Sequence, residues 1–220
     1  MNSGLIAAFA LVAAAAVFAM YEIFNPISAF AAVGDVGSDS GTLPQGNSAN
    51  NTSPPSGVAM QWNALIAQAA KAAGIDPVLL KAICAQETGF RADAINPEKD
   101  FTLNGVSYGQ YDKKGQALLV AWIKDGNDPK TIGLDPSCGI AQVRVDKIKK
   151  FFSRGVDAWD LFDPTICLEA AAFLIADDGT TLDTADMYNV GHGTNWARGV
   201  RNLPYLAKVQ DFYSRFTGDF

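Results

Sequence analysis

The spacing of apolar positions changes character several times along the chain. Residues 4–21, GLIAAFALVAAAAVFAMY, run without a charge. A bilayer core takes roughly 20 apolar residues, with a range of about 17–25, so residues 1–32 read as an N-terminal membrane anchor built on one transmembrane helix. A cleaved signal peptide is the alternative, because Ala29-Phe30-Ala31 offers a small-residue cleavage site. No Lys or Arg precedes the run, and a signal's apolar core usually spans only about 7–15 residues. Both points favour the anchor; a buried soluble helix is a third reading. Residues 33–57 nearly lack large apolar side chains and are rich in Gly, Ser, Asn and Pro. Such a stretch has too little to bury to offset the entropy of ordering, and it reads as a flexible linker.

From residue 58 the period becomes helical. Trp62, Leu65, Ile66, Ala69 and Ala73 recur on one face until Gly74. Asp76-Pro77 then supplies a cap and a first helical residue for a second helix. Short apolar pieces at 101–103 and 106–108 flank Asn104-Gly105, the signature of a tight hairpin. Helices are expected over 116–124, over 145–154, and from Asp163-Pro164 to about Ala176. Two more follow, one capped by Asp183 and running into 187–191, and one carrying Leu206, Val209, Phe212, Tyr213 and Phe216 on one face. The prediction for 58–220 is one mainly α domain with a minor β part.

The second helix carries the candidate chemistry. Leu80, Ile83, Cys84 and Glu87 share one face, at offsets of three, four and seven. A carboxylate therefore sits in an apolar stripe near the C-terminal end of the helix, just before Gly89. Burial disfavours its anion, and so does the negative end of the helix dipole. A glutamate so placed keeps its proton to higher pH, as a general acid must. The bland alternative is a Glu that faces solvent or pairs with Arg91.

Composition narrows the partners. The chain has 220 residues, 49% of them hydrophobic, with 17 basic residues against 23 acids and a net charge of −6. No basic block or stripe appears, which argues against nucleic acid. The three cysteines, Cys84, Cys138 and Cys167, have no C-x-x-C spacing, and His192 is the only histidine; no metal site and no cofactor is expected. Cys138 and Cys167 can pair only if the fold brings them together.

Four stretches in order resemble the soluble-type (SLT), goose-lysozyme-like lytic transglycosylases. Glu87-Thr88-Gly89-Phe90 is similar to their catalytic Glu, small hydroxyl residue and following aromatic. Residues 137–142, SCGIAQ, resemble S-x-G-L-M-Q; residues 161–164, LFDP, match a helix start; and residues 188–193, YNVGHG, resemble Y-N-A-G-x-G, with Leu203-Pro204-Tyr205 following. The likeness covers about residues 60–216. Ala141 stands where Met is usual, Cys167 and Ala171 where Asn and Gly are, and the interval between Glu87 and Ser137 holds an insertion within about 98–135.

The resemblance implies an α+β lysozyme-like fold and cleavage of peptidoglycan glycan strands at the MurNAc-β-1,4-GlcNAc bond, leaving 1,6-anhydro-MurNAc ends. Glu87 would be the catalytic acid, and Ser137, Gln142, Tyr188 and Asn189 would bind substrate. Each has a plainer reading: Tyr188 as core, Asn189 and Gln142 as loop braces, Ser137 as a turn residue. Tyr108, Tyr111 and Trp122 in the insertion would stack on sugars or fill a satellite core. The anchor and linker then place the domain in the periplasm or on a virion membrane. Rival functions are a muramidase-type hydrolase of the same bond and a non-catalytic wall-binding or virion structural protein.

Overall fold

The computed structural model describes residues 59–152, 155–191 and 198–220. The described residues all belong to one compact unit, residues 51–220. The apolar run at 4–21, the Ala31 cleavage site, the linker at 33–57 and His192 lie outside the described residues. Among the described residues no helix is long and apolar enough to cross a membrane.

Helix α1 (Asn63–Ala73) ends at Gly74, whose φ of 70° is the left-handed conformation a helix stop requires. Helix α2 (Pro77–Thr88) follows at once. The Asp76 carboxylate accepts from the Val78 N–H at 2.9 Å, Pro77 opens the first turn, and Gly89 closes the last at φ 62°. Residues from Leu79 to Ala85 are all buried, so α2 is covered on every side. Helix α7 (Leu203–Phe216) packs along it, and α1 lies against both α2 and α5 (Pro164–Asp178), which touches α2 only briefly. Burying a side chain such as Leu80 or Ile83 contributes about 1.5–3 kcal/mol each, which makes α2 the spine of the core.

One polar residue interrupts that spine. Lys81 is fully buried, yet its ammonium donates to Asn63 Oδ1 and Asp219 Oδ2 and lies 4.7 Å from the Phe216 ring centroid. A buried charge persists only when paired. Here the pairing fixes the C-terminal residues against α1 and α2.

Two small sheets complete the fold. Strands β1 (Ile95–Asn96), β4 (Ser137–Cys138) and β5 (Val143–Arg144) pair antiparallel in the order β1-β4-β5, with Asn96 opposite Ser137 and Ser137 opposite Arg144. Strands β2 (Phe101–Leu103) and β3 (Val106–Tyr108) form the expected hairpin. Asn104 and Gly105 adopt φ 51° and 78°, as a two-residue primed turn demands. The segment at 98–135 is part of the core. Phe101, Leu103, Leu119, Ile123 and Leu134 all enter the main hydrophobic cluster.

The elements depart from expectation where a local competitor intervenes. Helix α3 (Lys113–Lys124) begins before Gln116 because the Asp112 carboxylate caps it, accepting from Lys114 N–H at 2.9 Å and Gly115 N–H at 3.0 Å. The helix expected over 145–154 shortens to α4 (Val145–Ile148) and a 3₁₀ turn, Lys149–Phe151, after which Phe152 is extended. Phe151 and Phe152 both contact the Phe173 ring, at 5.7 and 6.5 Å between centroids. Adjacent residues of a helix point about 100° apart, so two such contacts with one ring require the chain to leave the helix. After α5, Thr181 rather than Asp183 makes the cap, through a reciprocal box with Thr184. A 3₁₀ turn, Leu182–Thr184, then precedes the short α6 (Asp186–Val190).

The three thiols are free and buried. Cys138 and Cys167 do approach each other, but Cys167 Sγ lies 3.6 Å from the Cys138 carbonyl oxygen as a weak donor. Burial pushes all three thiols well above the ordinary range, which leaves them unreactive.

Candidate active site

The end of α2 delivers Glu87 beside the first turn of α7. There the Tyr205 hydroxyl donates to Glu87 Oε1 at 2.7 Å. Glu87 is partly buried and Tyr205 is buried. Burial pushes the Glu87 carboxyl up to about 7; the bond from Tyr205 works against this, and the negative charge of Glu98 adds to it. Burial is thus the leading cause, in the direction expected from the apolar stripe. Arg91 does not meet Glu87, because its Nε donates to the Thr88 carbonyl at 3.2 Å.

Two tyrosines flank the acid. Burial and then the charge of Glu87 raise the phenols of both Tyr188 and Tyr205, so both stay protonated and act as donors. Tyr188 donates its proton to the Ala141 carbonyl at 2.8 Å. That bond braces the loop between β4 and β5 against α6.

The loop at 139–142 is built around close approach. Gly139 has φ 76°, and a Cβ there would stand 2.0 Å from the Leu161 carbonyl oxygen and 2.7 Å from Cys167 Sγ. Sequence alone leaves open whether Gly139 turns the chain or approaches a ligand. In the fold it turns the chain against the start of α5. Gln142 also takes a left-handed backbone, φ 52°, and its Nε2 donates to the Gly139 carbonyl at 3.1 Å. Thr88 Oγ1 donates to the Ile140 carbonyl at 2.7 Å, clamping this loop to the residue beside Glu87. Phe90 is buried and meets Phe216 edge-on at 6.1 Å, so it packs.

Asn189 is exposed at the end of α6, and its Oδ1 accepts from Asn202 Nδ2 at 2.8 Å. Asn202 in turn caps α7, its Oδ1 accepting from the Tyr205 N–H at 3.1 Å. A second link lies underneath. Asp186 is fully buried, pairs with Arg201 Nε at 2.7 Å, and accepts from the Asn202 N–H at 2.9 Å. Asn189, Asn202, Tyr205 and Glu87 therefore form one connected line. Ser137 is buried on β4, and its hydroxyl donates to Glu98 Oε1 at 2.7 Å.

The fold thus gathers Glu87, Gln142, Tyr188 and Asn189 around the junction of α2, α6, α7 and the β4–β5 loop. What this junction offers is a proton donor on the verge of ionising at neutral pH, held by a phenol. A family model described as Transglycosylase SLT domain matches residues 64–204, well over half of the chain. The chain belongs to the transglycosylase SLT family. No curated protein and no solved structure matches it. Membership supports a peptidoglycan lytic transglycosylase-type activity and a lysozyme-like α+β fold, and the mainly helical architecture with two small sheets agrees with that fold.

Sequence reasoning passed over several residues that contact the expected site residues in this domain. Tyr205 figures there only as the tail of Leu203-Pro204-Tyr205; the available signal was an aromatic in the first turn of a strongly amphipathic helix. Asn96 and Glu98 lie at the edge of the insertion and carry no signal in sequence. Of the insertion aromatics, Tyr108 stacks on Phe101 at 5.5 Å and Trp122 packs on the core, whereas Tyr111 is 79% exposed. No group of three or more His, Cys, Asp or Glu is placed to hold a metal ion among the described residues. A separate groove at the opposite end of α2, lined by Gly74, Asp76, Leu79, Ile175 and Thr181, does not include Glu87.

Proposed function

We propose that the protein is a peptidoglycan lytic transglycosylase in which Glu87 serves first as acid and then as base. The single observation that carries this reading is the Glu87 carboxyl, pushed up to about 7 by burial and held by the Tyr205 hydroxyl. Near neutral pH such a group is populated in both forms, as one carboxyl doing two jobs requires. Protonated Glu87 gives its proton to the oxygen between N-acetylmuramic acid and N-acetylglucosamine as the C1–O bond breaks. The resulting anion takes the proton of the muramic C6 hydroxyl, whose oxygen forms the new bond to C1. The product is a 1,6-anhydro ring, and no water is consumed. Tyr205 stabilises the intervening anion. Tyr188 and Gln142 hold the loop that faces it, and the amide nitrogen of Asn189, which has no partner among the described residues, is the donor offered to a sugar.

The setting belongs to the same proposal. Residues 4–21 anchor the chain in a membrane, and the linker of about 25 residues gives a reach of roughly 25–30 Å. The domain then works on the wall from the periplasmic face of a cell membrane or from a virion membrane. Hydrolysis of the same bond by water is the second reading, favoured by one observation: a second carboxylate, Glu98, whose charge reaches Glu87.

The test is mass spectrometry of soluble products from purified peptidoglycan digested with the full-length chain, beside Glu87→Gln. Anhydromuropeptides from the parent and none from the variant are expected. Hydrated muropeptides instead would make the protein a muramidase. No products from either, with binding retained, would leave a wall-binding protein.

A further inference from the structure

Ser137 has one hydroxyl hydrogen, and the fold has already assigned it. The side chain is 8% exposed and donates to Glu98 Oε1 at 2.7 Å. The same oxygen lies 3.4 Å from Asn96 Nδ2, and Asn96 Oδ1 accepts from the Glu98 N–H at 3.2 Å. Gln110 Nε2 adds a donor to Asn96 Oδ1 at 2.9 Å, tying this knot to the insertion. Glu98 also has φ 68°, a left-handed backbone that is unfavourable for a residue with a Cβ. Such strain persists only where surrounding contacts hold it, and here they hold a carboxylate by one oxygen. The other oxygen, Oε2, has no protein partner among the described residues, and the residue is exposed.

This carboxylate belongs to the same site as Glu87. The loop that follows Ser137 and Cys138 carries Ile140, whose carbonyl accepts from Thr88 beside the acid. The charge of Glu98 is among the influences on Glu87 itself.

We infer that Glu98, not Ser137, meets the glycan in this part of the site, with Ser137 and Asn96 as its positioning residues. Its free oxygen accepts a hydrogen bond from a sugar hydroxyl or acetamido N–H. A neutral donor suits that oxygen, and an anionic substituent is repelled. This rests on the glycan-cleaving reading above, but its test does not depend on turnover.

The experiment measures binding of the full-length chain, carrying Glu87→Gln to stop turnover, to purified peptidoglycan by co-sedimentation. A hydrogen bond to a charged group contributes about 1.5–3 kcal/mol, so Glu98→Ala weakens binding about tenfold or more. Glu98→Gln, which keeps a carbonyl acceptor, loses less. Ser137→Ala weakens binding about threefold, the part lost when Glu98 is merely untethered, and Ser137→Thr restores it. The deciding arm is the pair: Ser137→Ala adds nothing when Glu98 is already Ala. Binding that Glu98→Ala leaves unchanged would overturn the inference. So would a Ser137→Ala loss that is equally large with and without Glu98, since Ser137 would then touch the glycan itself. Product analysis of the parent decides the reaction separately.

Discussion

Glu87→Gln should make the protein more stable as it makes it inactive, and the gain should depend on pH. In the folded chain the Glu87 carboxyl titrates at about 7, against an ordinary value of 4.5. Between those values the folded state holds a proton that the unfolded state releases. Stability therefore falls as pH rises. The cost is absent below the unfolded value, grows across the interval, and is complete above the folded value. The gap from 4.5 to about 7 corresponds to about 3 kcal/mol at roughly 1.4 kcal/mol per pH unit, and partial exposure of the side chain trims it to about 2–3 kcal/mol. Glutamine keeps a carbonyl oxygen to accept from Tyr205 and carries no ionisable group, so it escapes the cost. Urea unfolding of the full-length parent and variant, followed by tryptophan fluorescence, should give nearly equal midpoints at pH 4.5. At pH 8 the variant's midpoint should lie about 1 M higher, given slopes of about 1–3 kcal/mol per molar urea. Equal midpoints at pH 8, or a gain of the same size at both pH values, would refute the reasoning that burial holds this carboxyl protonated.

Two other substitutions probe the same junction. Tyr205→Phe removes a contact that favours the Glu87 anion, so the fall of kcat/KM on the alkaline side should move to higher pH while kcat drops about tenfold or more; a limb that stays in place or moves down would count against Tyr205 as the carboxylate's donor. Gly139→Ala places a Cβ 2.0 Å from the Leu161 carbonyl oxygen at φ 76°. It should cost about 1–2 kcal/mol for the backbone and about 1–3 kcal/mol for overpacking, read as a lowered urea midpoint, and a loss under about 1 kcal/mol would mean that the loop yields where the packing says it cannot.

Short-range rules decided much of this protein in advance. Asp76-Pro77 and Asp163-Pro164 start helices, Gly74 and Gly89 stop them, and Asn104-Gly105 turns a hairpin, because each outcome depends only on atoms a few bonds away. The apolar period of α2 likewise placed Glu87 in a buried stripe. Where the local reading failed, at Asp112, Thr181 and the helix expected through Arg154, another cap or a tertiary aromatic contact competed with the one read. Only the tertiary structure could decide what surrounds the acid. Tyr205 reaches Glu87 across 118 residues of chain, and Glu98 reaches Ser137 across 39. Neither pairing leaves a periodic trace, because one hydrogen bond constrains a single side chain at each end. Gly139 shows the same divide: sequence marks a residue without a Cβ, and only the packing of Leu161 against it says what that freedom is for. The place of Glu87 in an apolar stripe was written in a helix, and its partners, which set its proton affinity, were fixed by how α7 and the β4–β5 loop close around it.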